Sequence, residues 1–159
     1  MANFIDLFAK RVLDSGLSTY WSMSGCSQSE IQRLESTIDL KLPVEYEAFL
    51  RKMGHGAGRF MQGTDMFYPR LLDNRSAAEE ALEREGFPFY LLPSMFVFSS
   101  HQGYIFHLFD CDTHLEDPPV LGFQEGEPAL TRISDSFSQF LSQILDEEIR
   151  GWEQHRRLA

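Results

Sequence analysis

One short polar stretch carries the densest group of side chains capable of chemistry. Asp110, Asp112 and His114 have the spacing of the first oxygen ligands of a calcium-binding loop. Such a loop needs glycine at its sixth position and a bidentate glutamate at its twelfth, and the chain has Leu115 and Leu121 there. The pattern therefore argues against a calcium site.

Cys111 and His114 lie in the same stretch, and a cysteine beside a histidine can act as a nucleophile with its base. Cys111, however, follows a predicted strand without the strand–turn–helix elbow that presents a nucleophile. The other histidines are scattered, at His55, His101, His107 and His155. They form no H-x-x-x-H or C-x-x-C pattern, so the sequence carries no zinc signature.

Two further patterns fail because of their context. Gly54, Gly56 and Gly58 have the look of a phosphate-binding loop, but such a loop joins a strand to a following helix, and this one follows a helix. The carboxylate pairs Glu79–Glu80 and Glu147–Glu148 are adjacent on predicted helices and point apart. We therefore predict that the protein is not an enzyme and that it binds no metal or cofactor.

The elements that hold these residues are those of one α+β domain. The chain has 159 residues, about the usual size of one domain, and 43% of them are hydrophobic. It contains 14 Phe residues, which predict a core rich in ring pairs. No internal repeat or linker divides it, and helices at both ends enclose a central, mostly antiparallel sheet.

Apolar residues at helical spacing predict five helices. The second begins at the capping-box pair Ser27 and Glu30. The third ends at Gly54, which we expect in the left-handed conformation. The fourth is capped by Asp73 or Asn74, and its outer positions are strongly acidic.

Runs of aromatic and β-branched residues predict the strands. Residues 66–68 are expected to pair in a sheet, and residues 95–98 and 104–109 form a hairpin that is covered on at least one face. Residues 120–123 form another strand, and residues 124–128 form a turn before the last helix.

The predicted organisation has three parts. Residues 1–24 form an N-terminal amphipathic helix and lead-in, residues 25–150 form the main domain, and residues 151–159 form a tail. The last helix is predicted to open near residues 134–136 and to end around residues 150–151.

The charge of the chain indicates the kind of partner. Its 24 acidic and 14 basic residues give a formal net charge of -10, which repels phosphate backbones and favours a basic protein partner. The first segment has no continuous apolar run, and no stretch approaches the length of a transmembrane helix. We expect a cytoplasmic protein with reduced cysteines, and no direct nucleic-acid or membrane partner.

Several short motifs follow one another in a defined order: Leu42-Pro43-x-x-Tyr46-x-x-Phe49-Leu50-x-x-x-Gly54, Phe96-Val97-Phe98, Gly103-Tyr104-x-Phe106, Asp117-Pro118-Pro119-Val120 and Ser136-Phe137-x-x-Phe140-Leu141. In order and spacing this set resembles the SUKH superfamily, the Smi/Knr-type domain. The resemblance covers about residues 25–145 and implies a helix-flanked α+β sheet without a catalytic centre.

The resemblance also implies a function. Bacterial members of the superfamily are commonly immunity proteins that bind and neutralise a toxin, often a nuclease, delivered by a neighbouring cell. We therefore predict an immunity protein for a basic toxin of a polymorphic toxin system. The alternative is an intracellular regulatory or scaffolding module of the Smi/Knr type.

Acidic loops at one end of the sheet are the predicted partner-binding surface. Its predicted residues are Asp110, Asp112, Glu116 and Asp117, beside the turn that carries Glu125 and Glu127. The helix bearing Glu79 to Glu85 is nearly as acidic and stays an alternative.

Overall fold

The structure is a computed structural model that describes residues 3–113 and 115–158. Its α-helices are α1 (Phe4–Asp14), α2 (Gln28–Ile38), α3 (Val44–Met53), α4 (Asn74–Glu85) and α5 (Phe137–Leu158). Its strands are β1 (Met23–Ser24), β2 (Gly56–Ala57), β3 (Met95–His101), β4 (Ile105–Asp110), β5 (Val120–Gln124) and β6 (Glu127–Ser134). His114, which both the calcium and the nucleophile patterns involve, lies outside the described residues.

The main sheet is an antiparallel meander in the order β3-β4-β5-β6. A separate antiparallel pair, β1 with β2, ties the lead-in to the loop after α3. The predicted α+β class and the predicted hairpin of β3 and β4 are confirmed.

One face of the main sheet carries the larger core, which is built around Tyr46 of α3. The Tyr46 ring meets Phe96, Phe109 and Phe137 in edge-on contacts, with centroids 5.5, 5.1 and 5.4 Å away. Such pairs add to the free energy gained from burying the rings. Helices α1, α2, α3 and α5 all contribute residues to this core.

The opposite face is covered by α4 and the segment that follows it. Ala78 and Leu82 of α4 pack with Val97, Phe106 and Leu108 of the sheet. Alternate residues of each strand point to opposite faces, so both sets of side chains become buried. The sheet is thus covered on both faces.

Two helix ends show how local sequence sets the fold. The Ser27 hydroxyl accepts the Glu30 N–H at 3.2 Å and the Glu30 carboxylate accepts the Ser27 N–H at 2.9 Å, which confirms the capping box. The expectation of a left-handed Gly54 is wrong, because its φ is -62°. Glycine is needed there for space, since a Cβ atom would lie 2.5 Å from Cys26 Sγ.

Two expectations around α4 are also wrong. Neither Asp73 nor Asn74 caps α4 with its side chain; a 3-10 turn leads into the helix, and the Asn74 amide donates to the Asp65 carbonyl at 2.6 Å. Residues 66–68 form no strand, because backbone hydrogen bonding with β3 ends at the Asp65 N–H, which donates to the Ser100 carbonyl. Met66 instead turns fully into the core.

The chain after β5 departs most from the sequence prediction. Strand β6 was not predicted, since its residues are mostly exposed and lack alternating hydrophobicity. Helix α5 does not end at residues 150–151 but continues through Gly151 to Leu158. Trp152 packs against the larger core, and the Arg59 guanidinium lies 4.4 Å from the centre of its ring.

Candidate partner-binding surface

The predicted acidic residues separate to opposite ends of the main sheet. Asp110 ends β4, and residues 112, 116 and 117 follow it at the same end. The Glu125 N–H donates to the Tyr104 carbonyl, at the start of β4, and Glu127 begins β6 there. Six residues of a strand span about 20 Å. The expectation that the two acidic segments lie side by side is therefore wrong.

The first turn after β4 holds its shape through its own hydrogen bonds. The Asp110 carboxylate accepts the Asp112 N–H at 2.9 Å, and the Thr113 hydroxyl donates to the Asp110 carbonyl at 3.0 Å. This arrangement leaves the Asp112 side chain exposed to solvent.

Asp117 has a structural task at the beginning of α5. Its carboxylate accepts the Ser138 N–H at 2.9 Å and the Ser138 hydroxyl at 2.5 Å. A carboxylate at a helix N-terminus satisfies an unpaired N–H group and interacts favourably with the helix dipole. Asp117 thereby fixes the acidic stretch against α5.

Negative charge is crowded where this stretch meets the start of α3. The Glu45 N–H donates to the Glu116 carbonyl at 3.0 Å, which holds the two segments together. Burial, followed by the charges of Asp117 and Glu116, raises the pKa of the Glu45 carboxyl. A cationic group placed here would relieve this repulsion.

Cys111 lies in the same negative field. Burial raises the pKa of its thiol to about 12, and the charges of Asp110, Asp112 and Glu35 act in the same direction. A thiol with such a pKa stays protonated at neutral pH and is a poor nucleophile. The local field therefore suits the attraction of cations better than covalent chemistry.

An apolar groove runs beside these carboxylates. A cavity of about 190 Å³ is lined by Lys41, Leu42, Pro43, Val44, Cys111, Leu115 and Glu116. Val44 is 56% exposed and Leu115 is 50% exposed. We call this surface the acidic groove, and it consists of residues 41–45, 110–113 and 115–117. Exposed apolar side chains within a charged rim are the usual anatomy of a protein interface.

A second exposed patch was not predicted from the sequence. Tyr20 is 77% exposed and Trp21 is 90% exposed, and their rings pack edge-on with centroids 5.3 Å apart. The sequence signal for this patch is a pair of adjacent aromatic residues in a polar stretch that follows a helix. They lie in the lead-in, before the residues that carry the family motifs.

His107 and the acidic helix α4 are weaker candidates for partner binding. The half-buried His107 ring packs on Phe140 with centroids 4.9 Å apart, and burial lowers its pKa to about 4, so it is neutral at pH 7. On α4, Arg75 pairs with Glu79 at 2.6 Å and Arg84 pairs with Glu85 at 3.5 Å. These arginines offset part of the acidic charge of α4.

Comparison with known proteins places the chain in a family. Among the described residues, no helix is both long and apolar enough to cross a membrane. No curated protein matches the chain. Residues 25–143 match the SMI1 / KNR4 family (SUKH-1), which agrees with the motifs that run from the start of α3 to α5. The chain therefore belongs to the SMI1 / KNR4 family (SUKH-1).

Proposed function

We propose that this protein is an immunity protein that binds a basic toxin domain in the cytoplasm and neutralises it through the acidic groove. Membership of the SMI1 / KNR4 family supports a protein of immunity or Smi/Knr type. The observation that carries the proposal is the pair of exposed apolar residues, Val44 and Leu115, beside the crowded carboxylates of Glu45, Glu116 and Asp117.

Each part of the groove has a role in this proposal. Val44 and Leu115 bury apolar area against the partner, which contributes to the affinity. Asp112 and Glu116 are exposed at the rim, where negative charge speeds association with a basic protein. Nuclease domains are commonly basic because they bind phosphates, and the net charge of -10 complements such a surface.

The test is a toxin-rescue assay with the product of the neighbouring gene. Co-expression should restore growth, and the two proteins should co-purify. Leu115→Arg should abolish both effects, because it places a cation and a longer side chain in the groove. Leu7→Arg is the matched control, since Leu7 on α1 is also exposed, at 54%.

Two results would contradict the proposal. The first is that wild-type protein gives neither protection nor a complex with that gene product. The second is that Leu115→Arg protects as well as Leu7→Arg does. Stable partners recovered from ordinary growing cells, with no toxin nearby, would instead favour a regulatory module.

A further inference from the structure

Three side chains with metal-binding atoms converge where α2 and α3 meet. Cys26 precedes α2, Glu30 lies in its first turn, and His55 follows α3. One ligand atom of each side chain lies within 4.8 Å of the ligand atoms of the other two. We propose that Cys26, Glu30 and His55 form a zinc site.

Backbone hydrogen bonds hold the two segments that carry Cys26 and His55. Strand β1 pairs with β2 through Ser24 and Gly56. The His55 N–H donates to the Ser24 carbonyl at 2.9 Å, and the Cys26 N–H donates to the Leu50 carbonyl at 2.8 Å. The two segments that carry the sulfur and the imidazole are therefore fixed next to each other.

A glycine precedes both Cys26 and His55, and each glycine permits a close approach. A Cβ atom at Gly25 would lie 1.8 Å from the Arg51 carbonyl oxygen. A Cβ atom at Gly54 would lie 2.5 Å from Cys26 Sγ. The thiol thus reaches the end of α3 only because both positions lack a side chain.

The geometry needs only small side-chain movements to hold an ion. His55 Nε2 lies 2.8 and 3.0 Å from the two Glu30 carboxylate oxygens. Zinc bonds of about 2.0 to 2.3 Å in a tetrahedron place neighbouring ligand atoms about 3.3 to 3.8 Å apart. Side-chain rotations of about 1 Å therefore suffice, because the backbone already brings the groups together.

The donor set selects the kind of metal. Sulfur, imidazole nitrogen and carboxylate oxygen together suit Zn²⁺ and disfavour Mg²⁺ and Ca²⁺, which prefer oxygen ligands alone. On binding, the Cys26 thiol releases its proton to solvent as the sulfur–zinc bond forms, and the neutral His55 ring donates a lone pair. The fourth position takes a water molecule or a partner side chain.

The sequence predicts no metal site, because no local pattern groups these three residues. Glu30 and His55 are 25 positions apart, so no short zinc signature exists. The simpler description is that Glu30 only completes the capping box and pairs with His55. That description gives Cys26, a buried residue of the larger core, only a packing role. The proposed zinc site does not depend on the proposed immunity function.

The first test is zinc binding by the chelator-treated full chain. Calorimetry should show one Zn²⁺ bound per chain, and zinc should raise the melting temperature. With Co²⁺ as a probe, thiolate-to-cobalt absorption should appear in the near ultraviolet. A cobalt complex without this absorption would overturn the proposal, as would the absence of stoichiometric binding.

The second test compares variants. His55→Ala and Cys26→Ser should each weaken zinc binding at least about 100-fold, since losing even an outer-shell partner costs about 10- to 100-fold. The matched controls His101→Ala and Cys111→Ser should bind as the wild type does. If Cys26→Ser does not fold, His55→Ala and the cobalt spectrum still decide. Equal affinity of His55→Ala and wild type would overturn the proposal.

Discussion

The two ends of the main sheet are both acidic, but they differ in what surrounds the charge. At the acidic groove, carboxylates adjoin the exposed side chains of Val44 and Leu115 and crowd the half-buried Glu45. At the other end, Glu125 lies in the turn between β5 and β6 and Glu127 begins β6, and both are exposed. Under the proposed function, the partner therefore binds where carboxylates adjoin exposed apolar side chains.

The two ends also differ in how they are fixed. The stretch that follows β4 is tied to α5 through Asp117 and to α3 through the Glu116 carbonyl. The opposite turn is closed by Gly126, at a φ of 85°, and by the Glu125 N–H bond to Tyr104. Contacts with two helices thus fix the acidic groove, and a pre-organised surface loses less entropy on binding, which supports its proposed role.

Charge reversal gives the largest expected contrast between the ends. Glu116→Lys should weaken binding of the toxin about 100-fold, because it opposes the basic partner with like charge. Glu127→Lys makes the same chemical change at the other end and should weaken binding less than about threefold. Calorimetric titration measures both variants. Equal losses of affinity in the two variants would contradict the acidic groove as the partner site.

Carboxylates at the two ends should also differ in how much they contribute to the free energy of unfolding. Asp117→Asn removes the negative charge and one acceptor from Ser138, so the free energy of unfolding should fall by about 1 to 2 kcal/mol. Glu127→Gln at the exposed turn should change it by less than about 0.5 kcal/mol. Urea denaturation with an unchanged m-value measures this. A loss for Glu127→Gln as large as that for Asp117→Asn would contradict the assignment.

The Glu148 carboxylate lies at neither end of the sheet and should make stability depend on pH. Glu148 on α5 accepts the Met61 N–H at 2.8 and 3.1 Å. Burial raises the pKa of its carboxyl from 4.5 to about 6, against the lowering effect of the Met61 N–H. The protonated Glu148 carboxyl therefore makes its full contribution to the free energy of unfolding below pH 4.5. This contribution is lost as pH rises through about 6.

The variant Glu148→Gln cannot titrate at this position. Relative to it, wild-type protein should lose about 1 kcal/mol of unfolding free energy across this pH window, a value reduced for partial solvent exposure. Glu127→Gln, at the exposed opposite end of the sheet, is the control and should keep the wild-type loss. Denaturation curves at several pH values test this. A difference between wild type and Glu148→Gln that does not vary with pH would contradict it.

The smallest expected effect is on the association rate. Neutralising Asp112 and Glu116 together should slow association about threefold at low salt, and the difference should shrink as salt screens the charge. Neutralising Glu125 and Glu127 should slow it less. Stopped-flow mixing measures both rates. An association rate of the wild type that does not change with salt would contradict charge steering.

Much of the fold follows from local patterns in the sequence. The capping box at Ser27 and the stripe around Tyr46 predict α2 and α3, because those signals act within one or two helical turns. Strand β6 escapes prediction because its residues are exposed at the edge of the sheet. The end of α5 is not predicted because Gly151, usually a sign of a helix end, is open to solvent within the helix. Trp152, the next residue, packs against the core.

The candidate site is predictable only in part. The residues from Asp110 to Asp117 are close in sequence, so their grouping follows directly. Their neighbours Val44 and Glu45 come from α3, some 70 positions earlier, and no local pattern reveals that contact. The turn at Glu125 is near in sequence but lies at the other end, since antiparallel strands reverse direction.

Amide hydrogen exchange of the toxin complex tests the central claim most directly. Bound partner should slow exchange at the amides of the acidic groove, which are those of residues 41, 42, 44, 45, 110–113 and 115–117. Exchange at residues 124–128 and at Tyr20 and Trp21 should stay as in the free protein. Protection confined to the turn at 124–128 or to the aromatic pair, with the acidic groove unprotected, would contradict the account.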